Sequence, residues 1–162
     1  MKNTTNITIS LPITVFDALT QEAELEGVDM RTLTKDILTV RATLNGHMSL
    51  DDLDELKLYR SLSQRVADAA VQICEIEGFQ KDITARAVQE CQLDDNWTRD
   101  YARYIESDDI FQKGNPKKRN INPDFGYRVK TRLNARILTE NGKRKTAKAK
   151  GLVITDYSLL TQ

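Results

Sequence analysis

The chain has 162 residues, of which 40% are hydrophobic and 30% are charged, and its formal net charge is zero. This composition is globular but leaves little apolar side chain for one large core, and no stretch resembles a membrane span or a signal peptide. We therefore expect no membrane partner, and we expect small units that are joined within one chain or across a dimer.

The first predicted element is a strand from Asn3 to Leu11. Apolar residues such as Ile7 and Ile9 alternate there with polar ones, and a period of two with β-branched side chains is typical of a strand. Pro12 ends the strand because proline has no amide proton to donate. A lone strand leaves its hydrogen-bonding edges bare, so we expect it to pair with its own copy in a second chain.

Two helices are predicted after this strand. Apolar residues recur with helical spacing from Ile13 to Glu26, and Gly27 is suited to end that helix. Asp29 is placed to cap a second helix, which ends before residues 45–46. The first 46 residues therefore read as one strand followed by two helices.

This stretch resembles a known family of repressors. The matching residues are Thr5-Asn6-Ile7-Thr8-Ile9-Ser10-Leu11-Pro12, then a helix, then Glu26-Gly27-Val28-Asp29-Met30-Arg31-Thr32-Leu33. Their order resembles the ribbon-helix-helix proteins of the Arc/MetJ/CopG type over residues 4–45. The resemblance implies that residues 1–46 dimerise through an antiparallel two-stranded ribbon, which lies in the major groove of double-stranded DNA.

The resemblance also implies which residues contact DNA. The implied base-reading side chains are Asn6, Thr8 and Ser10. The implied phosphate contacts come from the backbone around Met30 and Arg31, from the side chains of Arg31 and Thr32, and from Lys2 near the ribbon. Unlike many family members, this ribbon has only neutral side chains, so we expect a modest affinity from it alone. A ribbon that only dimerises the chain is the alternative.

Residues 47–80 are predicted to form a connecting helix. Ser49 is a suitable N-cap, and from Tyr59 to Ile76 apolar residues recur at spacings of three and four until Gly78. This seam packs either against its symmetry mate or against the residues that follow. We assign the helix no chemistry.

Residues 81–162 are predicted to form a C-terminal domain that is similar to winged-helix domains in the order of its elements. A helix at 83–93 and a second one capped by Asp95 precede a strand, a basic loop and a return strand within residues 110–130. Acidic residues crowd the second helix, so a structural role is expected for it rather than base reading. A hairpin turn is predicted at 141–142.

The cationic side chains cluster at the end of the sequence. Residues 110–162 contain 13 basic and 3 acidic side chains, a net charge of +10, whereas residues 47–109 carry −8 and residues 1–46 carry −2. Such a segment is typical of a protein that binds a polyanion, and pairing with the acidic middle segment is the alternative. The expected phosphate contacts are Lys117, Lys118, Arg119, Arg128, Lys130, Lys143, Arg144 and Lys145.

Catalysis is not indicated by any motif. Cys74 and Cys91 match no metal-ligand spacing, and His47 is the single histidine. We therefore expect no enzyme, no cofactor and no metal site, and reduced thiols in a cytoplasmic protein. The acids at 94–100 would suit a nuclease metal site, but helix capping explains them more simply.

The sequence thus predicts a mostly α protein with a little β structure: a ribbon-helix-helix dimer plus a winged-helix-like C-terminal domain. The expected function is that of a sequence-specific, repressor-like transcriptional regulator, dimeric or of higher order. One alternative is a protein-interaction module, such as an antitoxin or a phage-encoded inhibitor, whose basic region docks an acidic protein. Another is an accessory factor for plasmid replication, partition or transfer.

Overall fold

The computed structural model describes residues 8–47 and 49–162, and it confirms a mostly helical chain with a few short strands. The helices are α1 (Ile13–Glu26), α2 (Met30–Leu44), α3 (Leu50–Glu77), α4 (Ile83–Gln92), α5 (Asp95–Ile105) and α6 (Pro116–Arg132). The strands are β1 (Arg136–Ile137), β2 (Thr139–Glu140), β3 (Lys143–Arg144), β4 (Thr146–Lys148), β5 (Asp156–Ser158) and β6 (Leu160–Thr161). They pair antiparallel as β1–β6, β2–β3 and β4–β5. None of these six helices combines the length and the apolar content needed to cross a bilayer.

The predicted ends of the first helices are confirmed. Gly27 closes α1 in the left-handed conformation, with a φ of 66°. The carboxylate of Asp29 accepts the amide proton of Thr32 at 2.8 Å, and the hydroxyl of Ser49 accepts that of Asp52 at 3.1 Å. Local capping chemistry therefore sets these boundaries.

The predicted ribbon lies partly outside the described residues. Residues 8–11 are exposed and belong to no strand in this single chain. The prediction required a second copy for pairing, so the ribbon and the dimer stay predictions.

The winged-helix order predicted for residues 110–130 is wrong. Residues 110–113 form turns, and the expected basic loop and return strand are part of one helix, α6. Its N-cap, Asn115, accepts amide protons from Lys117 and Lys118 at 2.9 and 3.3 Å, and a proline follows at the first helical position. The side chains that α6 buries are Ile121, Phe125, Arg128 and Val129. The described strands follow this helix.

The main core lies between α3 and the helices that follow it. The apolar seam of α3 packs against α4, α5 and α6. Of the two partners considered for it, a symmetry mate and the residues that follow, the structure shows the second. Trp97 of α5 is fully buried, stacks on Tyr101 with ring centroids 5.1 Å apart, and donates its indole proton to the carbonyl of Leu62 at 3.3 Å. We call α3 to β6 the body of the protein.

The pair formed by α1 and α2 has a separate small core of Ala23, Val28 and Leu33. Polar contacts join the pair to the body. The guanidinium of Arg60 lies 2.6 Å from the buried carboxylate of Asp36, and Arg132 donates to the carbonyl of Leu25 at 3.0 Å.

Candidate nucleic-acid interface

The first candidate surface surrounds the start of α2. Thr8 and Ser10 are exposed just before α1, and Arg31 is exposed in the first turn of α2. The amides of Met30 and Arg31 donate to no residue within the described ranges, so two helix N-terminal donors are open to an anion. Of the other predicted DNA contacts, Lys2 and Asn6 lie outside the described residues.

Two of the implied phosphate contacts have intramolecular roles at this surface. The hydroxyl of Thr32 donates to the carboxylate of Asp29 at 2.9 Å, so this side chain reinforces the cap. The side chain of Met30 is half-buried, packs against the small core, and lies 3.7 Å from the hydroxyl of Thr20. Arg31 is the one of the three whose side chain faces solvent.

An exposed apolar surface covers the same part of the chain. Fifteen large apolar side chains are exposed among the described residues, and eleven of them lie between residues 9 and 50. We call these eleven side chains the N-terminal apolar face: Ile9, Leu11, Ile13, Val15, Phe16, Leu25, Ile37, Leu38, Val40, Leu44 and Leu50. Such a concentration of exposed apolar side chains is typical of a region that binds another surface.

A second candidate surface is a groove in the body, which we call the α6 groove. It has a volume of about 910 Å³ and lies between α6, the turns at 111–115 and the strands from Arg144 to Leu160. Five cations line it, against the single carboxylate of Asp156. These cations are Lys113, Lys118, Arg119, Lys130 and Arg144.

Three of the predicted phosphate contacts are engaged inside the protein. Lys118 donates to the carbonyls of Ile110 and Gln112 at 2.7 and 3.2 Å, and burial lowers the pKa of its ammonium group. The ammonium group of Lys117 lies 3.0 Å from Glu106 and 3.3 Å from Glu55. Both side chains fasten the segment around α6 to the body.

Arg128 is the third of these engaged residues, and the prediction that it contacts a phosphate is wrong. Its side chain is 4% exposed and bonds to the carboxylate of Asp124 at 2.8 Å. A guanidinium group in this position has no surface with which to contact a phosphate. The structure therefore gives Arg128 a role in the core.

The remaining predicted cations stay on the surface. Lys130 lies over the ring of Tyr127, 5.1 Å from its centroid, and Lys145 pairs with Glu140 at 3.1 Å. Arg119, Lys143 and Arg144 are exposed and have no ion pair within the described residues. The structure thus brings Arg119, Lys130 and Arg144 together at the groove, and it leaves Lys143 and Lys145 off its lining.

Sequence reasoning missed other parts of the groove. Phe111 and Tyr127 are exposed at it, and the buried Thr84 lies on its lining. An aromatic residue beside a basic stretch is a weak signal for Phe111 and Tyr127. No sequence signal identifies Thr84, because threonine is common in the first turn of a helix.

Side chains of the types that bind metal ions are dispersed over the described part of the chain. No cluster of three or more His, Cys, Asp or Glu side chains that suits a metal ion occurs in residues 8–47 and 49–162. Asp94 caps α5 in place of the predicted Asp95, and the hydrogen bonds that it accepts from the amides of Asn96 and Trp97 lower its pKa. Burial raises the pKa of Cys91 to about 12, so its thiol is not activated as a nucleophile.

Comparison with protein-family models, with curated proteins and with solved structures found no match for this chain.

Proposed function

We propose that the protein is a dimeric, sequence-specific DNA-binding protein that acts as a transcriptional regulator. The observation that carries this proposal is the N-terminal apolar face, because it adjoins both the exposed segment at 8–12 and the open amides at the start of α2. A second copy of the same helix pair would cover the face. Pairing of the two N-terminal segments in that dimer would form the ribbon.

Dimerisation follows from the incomplete core of α1 and α2. Three buried apolar residues cannot balance the conformational entropy that the pair loses on folding. Phe16 and Leu38 are each a little less than half exposed in the single chain, and burying the exposed part of such a side chain contributes about 1 kcal/mol. A symmetric contact between two helix pairs uses the same face twice, which suits one surface of this kind.

DNA contact follows from the polar groups beside that face. Hydroxyl groups such as those of Thr8 and Ser10 can donate to or accept from base edges in the major groove. The open amides of Met30 and Arg31, together with the Arg31 guanidinium, would hold a backbone phosphate. The exposed cations Lys143 and Arg144 add charge that attracts the duplex without reading its sequence.

The test of DNA binding begins with selection of bound fragments from random duplexes. Binding of the selected duplex is then measured for the wild type, for Asn6→Ala and for Thr8→Ala. We expect each lost base contact to weaken binding by about 1–3 kcal/mol. Thr139→Ala, which removes an exposed hydroxyl of β2, is the matched control and should bind as wild type. Wild-type binding by both ribbon variants would reject base reading by the ribbon.

The dimer is tested separately by sedimentation at micromolar concentration. Phe16→Asp places a charge in the N-terminal apolar face and should give a monomer that no longer binds the selected duplex. Phe111→Asp places the same charge at an exposed aromatic residue of the body and should stay dimeric. A wild-type protein that sediments as a monomer would remove the basis of the proposal.

A protein-interaction module is the second candidate function. The observation in its favour is that Lys117, Lys118 and Arg128 are engaged inside the body, which reduces the cationic surface open to DNA. Salt separates the two functions, because release of counterions from duplex DNA gives a log–log slope of about −0.9 per phosphate neutralised. Absence of duplex binding at low salt, with the dimer intact, would favour the interaction module.

A further inference from the structure

The α6 groove contains a buried hydroxyl group without a hydrogen bond. Thr84 is 3% exposed, and its Oγ1 contacts no donor or acceptor among the described residues. A buried polar group in this state loses its bonds to water without replacement, so such groups are uncommon in folded proteins. The residue lies on the lining of a large groove, where a polar atom of a ligand would complete its hydrogen bonding.

Hydrogen bonds to the body fix the walls of this groove. The side-chain amide of Asn122 donates to the carbonyl of Val153 at 2.9 Å, and the amide of Val153 donates to the side chain of Gln92 at 2.7 Å. Lys118, another lining residue, donates to the carbonyls of Ile110 and Gln112. The groove is therefore preformed, which reduces the entropy that a ligand must overcome on binding.

The charges and rings at the groove define the chemistry of that ligand. Arg119, Lys130 and Arg144 provide positive charge for an anion. The ring of Phe111 is 51% exposed at the rim and offers an apolar surface on which a planar group can stack. A volume of about 910 Å³ is at the upper end of the range of small-molecule sites.

We propose that the α6 groove binds a nucleotide unit, whose phosphate contacts the cations and whose base stacks near Phe111 and reaches the Thr84 hydroxyl. This site is independent of the N-terminal ribbon and of the dimer. Two sources supply the same chemistry: a free nucleotide, or an unpaired nucleotide within a single strand of nucleic acid. A base inside an intact duplex is stacked and paired, so it does not reach a buried hydroxyl.

The test measures binding to the full chain by calorimetry with three probes: an equimolar set of the common nucleoside triphosphates, a mixed-sequence single strand of twelve nucleotides, and the same sequence as a duplex. Thr84→Val keeps the shape of the side chain and removes the hydroxyl. We expect it to weaken binding about 5- to 10-fold, the loss of one hydrogen bond. Arg144→Gln should weaken binding to a similar or larger degree.

The control variant is Lys57→Gln, which removes a cation that is 66% exposed on α3 and is not part of the groove. It should bind as wild type. Thr84→Val should also raise or preserve the midpoint of thermal unfolding without ligand, since it deletes an unsatisfied group, and this result shows that the variant is folded.

The outcomes distinguish the sources and the proposal itself. Binding of triphosphates that depends on Thr84 and Arg144 identifies a free nucleotide as the ligand. Binding of the single strand alone, with the same dependence, identifies an unpaired strand. The proposal is overturned if neither probe binds, if Thr84→Val binds both probes as wild type, or if Thr84→Val weakens duplex binding as much as single-strand binding. Loss of duplex binding by ribbon variants leaves this result unaffected.

Discussion

The α1–α2 pair and the body use apolar side chains in opposite ways. The body has a continuous core of twenty buried hydrophobic residues, whereas the pair buries three and exposes most of the rest. Both regions have helices with apolar residues at helical spacing, so periodicity alone does not decide whether a core is completed within the chain. The difference agrees with a body whose core is completed within the chain, and with the proposal that the pair completes its core against a second copy.

The sharpest test of this contrast is Trp97→Ala in the body. The indole ring is fully buried and donates its proton to the carbonyl of Leu62, so its removal leaves a cavity and deletes a buried hydrogen bond. We expect the free energy of unfolding to fall by about 3–5 kcal/mol, measured by denaturant titration.

The matched variant in the pair is Phe16→Ala, measured at a concentration low enough for monomers. The ring of Phe16 is 42% exposed, and its truncation should cost the monomer less than about 1 kcal/mol. Equal losses for the two variants would contradict the contrast between the regions.

A second test compares two arginines that were both predicted from sequence to contact phosphate. Arg128→Met leaves the carboxylate of Asp124 without its partner in the core, and breaking a pair of this kind costs about 3 kcal/mol of stability. Arg144→Gln changes an exposed side chain of β3 and should alter the free energy of unfolding by less than about 0.5 kcal/mol. If Arg144→Gln is destabilised, or if Arg128→Met is as stable as the wild type, then the assignment of Arg128 to the core and of Arg144 to the surface is wrong.

A third test uses protein concentration, because only the pair is expected to gain stability from a second copy. Amide hydrogen exchange is measured at two concentrations that differ 100-fold. Protection of amides in α1 and α2 should rise by up to about 2.7 kcal/mol by mass action, while amides of α4 and α5 should change little. Equal protection of the pair at both concentrations would contradict dimerisation through its apolar face.

The parts of the fold that sequence predicts are those set by local chemistry. Gly27, Asp29 and Ser49 mark helix ends because a left-handed glycine and side-chain caps act within a few residues. Helix α6 is not predicted by the sequence because it contains Pro123 and Gly126, and these residue types are typical of loops. Its buried residues nevertheless keep helical spacing, and packing against α3 and α4 outweighs the poor propensity.

For the candidate site, the sequence predicts an excess of cationic residues but not their arrangement. The net charge of +10 indicated a cationic region, but sequence does not tell which cations are turned inward. Lys118 and Arg144 look alike in sequence, and their roles differ because tertiary contacts give Lys118 two carbonyl partners. The buried hydroxyl of Thr84 depends on the arrangement of α4 beside α6, which no local pattern encodes.

The smallest expected effect concerns the junction between the two regions, where α1 ends against α6. Gly27 has a φ of +66°, and a Cβ added to it would lie 3.3 Å from Cδ of Arg132. Gly27→Ala should therefore cost about 1–2 kcal/mol for the left-handed backbone and displace a side chain that holds the carbonyl of Leu25.

Gly142→Ala separates these two contributions. Gly142 also has a positive φ, +72°, but an added Cβ meets nothing within 4 Å. Its loss of stability, about 1 kcal/mol, reports the backbone cost alone. If Gly27→Ala costs more than Gly142→Ala and also speeds exchange of amides in α1, then the pair is held on the body by Arg132. If the two variants cost the same and exchange in α1 is unchanged, then the contact with Arg132 contributes nothing, and other contacts, among them the ion pair of Arg60 with Asp36, hold the pair on the body.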